Sequence, residues 1–508
     1  MSKSIQVEGL PVTATVEDAG RNGPRPNVLL ICTDHLRADL LGLNAHPHTQ
    51  TPQIDKIGLS GINFRRAFSE CPVCCPARRI LMTGMDSHGV HMSYNRDTQP
   101  FPEGPKLAEL LTAGGYQTFA AGKLHTWPPR NRIGFEDVQL NEEGRTAGLE
   151  GNDDYLQFLA DENLLHQAHS HGLGNNQYGY RPSPVPEYAT STGWTADQAM
   201  RFLKRRDPTR PFFLYVSFDK PHPPITPPAE NYELYRDVRF PEPVVGDWVT
   251  RKPMARRRSQ HEAHDWHLWR HHGNVVQESL RGMAAMTTHI DSRIGMIVGT
   301  LREQRLLANT WIIFIADHGD AMFDHDLLAK GDFFAGSCNI PLLVMPAQTF
   351  MQRVRPDRIS HTDTTTPAAL QDIAPTILEV CGLQRPANMT GQSLVGHFTE
   401  EHPSFRPITC GNVGAIYAAT DGRHKYCWHG EEGHELLFDQ EADPKDCHDL
   451  AESPKHKMIL ERLRHALVEW MTQGGDSHIQ DGRLQPAEMD HQFAQRFRRS
   501  IWNNRGWR

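Results

Sequence analysis

The chain has 508 residues, 38% of them hydrophobic and 22% charged, the composition of an ordinary soluble protein long enough for more than one domain. A formal net charge of −8 excludes a general polyanion-binding surface and with it a nucleic-acid partner. No run reaches the roughly 18 apolar residues of a membrane span, so no membrane partner is expected.

The lead-in, residues 1–24, lacks the apolar core of a signal peptide, and the expected compartment is the cytoplasm. "NVLLICTD" (27–34) reads as an apolar strand ending on an acid. "PKLAELLTAGG" then reads as a helix closed by glycine, and "YQTFAAGK" as the next strand. "PFFLYVSFDKPH" (211–222) is a strand running into a Pro-rich loop. Helical spacing covers 282–307, "TWIIFIADHGD" (310–320) is a buried strand, "NIPLLVMP" (339–346) another, and 370–382 a helix with a glycine stop. Apolar strands alternating with helices predict an α/β fold, a mostly parallel sheet covered by helices. Ligands of such sheets sit beyond the carboxyl ends of the strands, and there polar residues gather: Asp34 and His35, Lys123 and His125, Lys220 and His222, Asp317 and His318.

The texture changes near 401. Short strands and the amphipathic helix 456–473 predict a smaller C-terminal α+β subdomain with a short antiparallel sheet over 401–475, after a main domain over 25–400. The polar stretch 476–508 ends in "FAQRFRRSIWNNRGWR", whose aromatic anchors suit a docked arm and a homo-oligomer. Segments 135–200 and 225–280 lack clear periodicity and read as long functional loops.

Nine cysteines, an odd and scattered set, fit free thiols better than a disulfide framework. Three of them fall in "CPVCCPARRILMTG" (71–84). A zinc knuckle there lacks a second ligand pair at finger spacing. A redox pair is disfavoured by Pro72 between the cysteines. Inert buried thiols and a nucleophile stay open on the residues alone.

Cys74, Pro76, Arg78, Thr83 and Gly84 resemble the signature of the sulfatase family, within the alkaline phosphatase superfamily, and the resemblance runs from about 26 to 475. It implies an alkaline-phosphatase-like fold and a sulfuric ester hydrolase. Cys74 would be oxidised by a formylglycine-generating enzyme to formylglycine (3-oxoalanine), and Cys75 would be a bystander. By the same resemblance Asp34, His35, Cys74, Asp317 and His318 surround a divalent metal, and Arg78 holds the hydrated aldehyde. Lys123, Lys330, His222 and Asn95 meet the substrate, with Lys220 a further candidate. One hydroxyl of the hydrate would attack sulfur while His222 or Lys330 protonates the leaving alcohol. The other would be deprotonated by His125, expelling sulfate. The physics suits an anionic ester, which needs cations aimed at the transferring group and a placed oxygen nucleophile.

Two departures matter. The pairs Asp34-His35 and Asp317-His318 stand where many sulfatases have Asp-Asp and Asp-Asn. Calcium is the family default, but imidazole suits manganese or zinc better. The second pair is also similar to that of phosphonate monoester hydrolases, which cleave phosphonate monoesters and phosphodiesters, whereas the Lys123-x-His125 pair favours a sulfate ester of a small molecule or sugar.

Overall fold

The computed structural model describes residues 25–143, 153–254, 273–354 and 361–486. The lead-in 1–24, the centre of the 225–280 segment and the aromatic end of the arm lie outside the described residues.

Eight strands form the main sheet: β1 (Asn27–Thr33), β2 (Ile62–Phe64), β3 (Gln117–Gly122), β4 (Asp137–Leu140), β5 (Phe212–Phe218), β6 (Thr310–Ala316), β7 (Leu342–Met345) and β8 (Thr362–Thr364), in the order β4-β3-β5-β1-β6-β7-β2-β8. All pairings are parallel except the two made by β7, which alone is reversed. The continuous apolar runs of β1, β5 and β6 are what the middle of a covered sheet requires, and every residue of the three is buried.

Helices α1 (Pro52–Leu59), α4 (Ser191–Arg205) and α5 (Gly273–Glu303) pack on one another and on the sheet. A second group, α2 (Cys74–Thr83), α3 (Leu107–Ala113) and α6 (Ile373–Val380), does the same. The long-loop reading of 135–200 needs correction: β4, a helix over Asp154–Asp161 and the start of α4 lie inside it. Their periods are present but short: Val138 and Leu140 alternate, and Leu156 with Leu159 and Trp194 with Ala199 and Leu203 keep helical spacing.

The second sheet, β9 (Thr409–Val413), β10 (Ile416–Thr420), β11 (His424–His429) and β12 (His434–Asp439), is antiparallel throughout. Helix α7 (Lys457–Gln473) lays Leu460, Leu463, Leu467 and Met471 on Tyr417, Tyr426, Trp428 and Leu437. This helical stripe closes a core of its own. The sheet is tied to the main domain through Asp446, whose carboxylate pairs with the buried Lys425 at 2.7 Å and accepts the Ala335 N–H at 2.6 Å, and whose carbonyl accepts from Trp248 Nε1 at 2.8 Å. All nine cysteines are free thiols. No helix among the described residues is long and apolar enough to cross a membrane.

Candidate active site

Parallel register decides where the acids meet. Thr33 of β1 pairs with Ala316 of β6, so Asp34 and Asp317 leave adjacent strand ends together. The Asp317 N–H donates to the Thr33 carbonyl at 3.1 Å. On the other flank Asp34 N–H donates to the Lys220 carbonyl at 3.4 Å, and beyond β5 the chain leaves β3 through Gly122 into Lys123. Gly122 has φ +100°, and a Cβ there would lie 1.9 Å from the Ser217 carbonyl oxygen, so only glycine lets β3 deliver the lysine.

Helix α2 supplies the cysteine. Cys74 is its first residue, and Gly84, at φ +66°, closes it with an N–H donated to the Ile80 carbonyl at 2.8 Å. The Thr-Gly end of the motif is therefore a helix stop. Cys74 Sγ lies 3.2 Å from His318 Nε2 and 3.7 Å from Asp34 Oδ1. Burial and Asp34 push its thiol up, but Lys330, Lys123 and His318 outweigh them, and its pKa is lowered.

Asp34, Cys74, Asp317 and His318 each present a donor atom within 4.8 Å of the others, all buried. His318 Nδ1 sits 2.8 Å from the Gly319 carbonyl, which only accepts, so Nδ1 carries a proton and Nε2 is turned to the carboxylates. Burial opposes a charge on the ring, but Asp317 and Cys74 raise its pKa, and a metal would take the place of the Nε2 proton. Two carboxylates and a correctly turned imidazole are a donor set that fits a divalent ion.

Arg78, one helical turn after Cys74, contacts both acids. Its Nε is 2.9 Å from Asp317 Oδ2 and its Nη2 3.4 Å from Asp34 Oδ2, while Nη1 donates to the Lys123 carbonyl (2.8 Å) and Ser217 Oγ (2.7 Å). Lys123 is paired with Asp34 Oδ2 and, at 2.9 Å, with Glu143 Oε2. Asp34 is held well below the usual carboxylate range: burial opposes this, but the charges of Lys123 and Arg78 prevail.

Lys330 Nζ faces His222 Nε2 at 3.0 Å and also contacts His35 Nε2. Both imidazoles are held well below their ordinary pKa by burial and by the Lys330 charge. His222 Nδ1 lies 2.5 Å from the Pro223 carbonyl, so it carries the proton and Nε2 accepts from the lysine. His35, at φ +66°, turns Nδ1 to Asp320 Oδ2 at 2.8 Å, and Tyr178 OH donates to the same oxygen at 2.5 Å. His35 Nε2 is thus directed at Lys330, 3.9 Å from Asp34 Oδ1. Lys220 turns away, donating to the His222 and Pro224 carbonyls.

His125, at φ +58°, sets its Nε2 3.0 Å from the sulfur of Cys75 and 3.3 Å from Asp97 Oδ1. Asn95 Oδ1 accepts the Cys75 N–H at 2.9 Å. Sequence reasoning singled out none of Asp97, Glu143, Tyr178 and Asp320. Asp320 carried a signal, three residues past Asp317 in the same strand-end loop; Glu143 and Tyr178 lie between the short elements of 135–200 and carried none.

The Sulfatase family profile matches residues 26–383, and the N-sulphoglucosamine sulphohydrolase C-terminal profile matches 324–473. An arylsulfatase of Clostridium perfringens is 30% identical over 90% of this chain and 96% of its own. A multifunctional alkaline phosphatase superfamily protein of Trinickia caryophylli is 27% identical over 91% and 98%. The phosphonate monoester hydrolase of Agrobacterium radiobacter, 22% identical over 89% of this chain and 96% of that one, superposes with a TM-score of 0.71 and shares the fold. A profile match over most of the chain and a relative of that identity and coverage place it plainly: the chain belongs to the sulfatase family and is an enzyme of that hydrolase class.

Proposed function

We propose that this enzyme hydrolyses sulfate esters with formylglycine, made from Cys74, as its nucleophile and a divalent metal held by Asp34, Asp317 and His318. One observation carries the reading: Cys74 opens a buried helix where strand-end carboxylates converge and where Lys123 and Lys330 act on its thiol. Held by Asp34, Asp317 and His318, a metal would lower the pKa of a hydroxyl of the hydrated aldehyde. The chain's own residues do the rest. Lys123 and Lys330 meet the anionic oxygens as point charges. The start of α2 adds the positive end of a helix dipole on the same side. The Lys330 ammonium, donating to His222 Nε2, would protonate the leaving alcohol. His125 is the base for the second half-reaction. Calcium is the family default, while the imidazole of His318 favours manganese or zinc. The alcohol is a small aromatic or a sugar.

The Asp317-His318 pair supports a second reading, a phosphonate monoester or phosphodiester hydrolase on the same scaffold. Two measurements separate the cases. The mass of the peptide carrying Cys74, from a host with the converting enzyme, is expected to show the aldehyde; an unmodified thiol ends both readings. Turnover of an aryl sulfate is then expected to exceed that of phenyl phosphonate, and the reverse order selects the second reading.

A further inference from the structure

Cys75 turns its thiol away from the strand-end acids. Its sulfur lies 3.0 Å from His125 Nε2 and 3.7 Å from Asp97 Oδ1, and those two atoms are 3.3 Å apart. These donors come from three separate segments and lie within 4.8 Å of one another. No finger-like spacing marks them in the sequence. Zinc bonds of about 2.3 Å to sulfur and about 2.0 Å to nitrogen or oxygen imply tetrahedral edges of roughly 3.3 Å (N to O) and 3.6 Å (to S). The N–O edge already fits, the S–O edge is close, and the S–N edge needs to open by about half an ångström.

We propose that Cys75, Asp97 and His125 form a second metal site, for a thiophilic divalent ion such as zinc, whose occupancy takes His125 out of the reaction. Cys75 and His125 are pre-placed. Asn95 accepts the Cys75 N–H at 2.9 Å and Arg79 Nη1 donates to the Cys75 carbonyl at 3.1 Å. The Leu124 and His125 N–H groups both donate to Glu142 Oε1 at 2.9 Å. The Arg79 charge interacts with both Cys75 and Asp97. Cys75 and His125 are buried, while the Asp97 side chain is 33% exposed and gives the ion a way in. Three protein donors leave the fourth tetrahedral position to water. A thiolate excludes calcium and magnesium here. Binding exchanges the thiol proton, released to solvent, for the ion, with no change of oxidation state.

The inhibitory half of the proposal rests on the proposed role of His125; the binding half does not. Cobalt(II) tests binding directly, in full-length Cys74→Ala protein whose strand-end site is first filled with manganese. The expected result is a thiolate-to-cobalt charge-transfer band saturating at one equivalent, absent when Cys75→Ser is added. Asp97→Asn, at a partly exposed position that leaves the core intact, is expected to weaken binding at least about tenfold. No band in Cys74→Ala, or a band unmoved by both further substitutions, overturns the site. In the manganese-loaded wild type, zinc is expected to inhibit turnover, and Asp97→Asn to need at least about tenfold more. Cobalt binding as described without zinc inhibition overturns the block on His125. A wild type without any turnover counts against the sulfatase mechanism and leaves the cobalt result to stand alone.

Discussion

Two lysines approach the same cysteine, and the molecule treats them differently. Lys123 is fully buried between the carboxylates of Asp34 and Glu143, with Arg78 donating to its carbonyl. Lys330 is bracketed by His35 and His222, imidazoles that burial and the lysine itself keep neutral. A carboxylate cancels a positive charge, whereas a neutral imidazole only orients it. Lys123 therefore belongs to the electrostatic balance of the fold as much as to the chemistry, and Lys330 presents its charge to the substrate.

The sharpest way to break this contrast is to delete each charge. Lys123→Met leaves Asp34 and Glu143 buried without their cation, an arrangement that costs about 3–5 kcal/mol. A large drop in the urea midpoint is expected at neutral pH. Lys330→Ala removes a cation that faces two neutral rings and acts on the Asp320 carboxyl, so the loss of stability is expected to be smaller than that of Lys123→Met. Its kcat is expected to fall about 100–1,000-fold, the loss typical of one electrostatic donor to a transition state. Equal losses of stability in the two variants, measured in the same titration, sink the distinction.

Glu70 extends the comparison to a buried carboxylate satisfied by backbone. It accepts N–H bonds from Leu370 (3.1 Å) and Gln371 (3.0 Å). Burial pushes its pKa up to about 8, against the pull of those N–H groups. The native state thus keeps a proton that the unfolded chain releases above the ordinary 4.5, and stability falls as pH rises from there to about 8. Glu70→Gln is expected to gain on the wild type by up to about 1.4 kcal/mol per pH unit inside that window, and by nothing further above it. Urea midpoints of both proteins at pH 5, 6, 7 and about 9 check the sign.

Much of this was legible in the sequence because strands buried on both faces are apolar throughout and end abruptly on polar residues. "NVLLICTD" and "TWIIFIAD" name their strands and their acids in one reading, and parallel register then brings Asp34 and Asp317 together without further information. The cysteine motif is local, and the structure explains it locally, as a helix that starts on Cys74 and stops at Gly84. What was not legible is what reaches the site from elsewhere. Glu143 and Tyr178 come from irregular chain whose conformation is set by its neighbours. Nor did the adjacency of Cys74 and Cys75 disclose that their side chains face different partners, because one residue along a helix is a turn of 100°.

Tyr178 offers the finest test of how Lys330 is held. Its hydroxyl donates to Asp320 Oδ2, which holds His35 Nδ1, and it accepts the Ala329 N–H at 2.9 Å, one residue before Lys330. The ring that faces the ammonium and the backbone that carries it therefore end on a single buried oxygen. Tyr178→Phe preserves the ring packing against Phe323 and removes only that junction, at a cost of about 1–3 kcal/mol for the groups left without it. Part of this is expected as lost stability and part as a fall in kcat of no more than about tenfold. The content of bound metal is expected to stay at the wild-type value, because the hydroxyl bonds to Asp320 and the Ala329 N–H. A matching loss of metal in Tyr178→Phe would instead tie His35 to the ion, and the two lysines would then share one electrostatic unit.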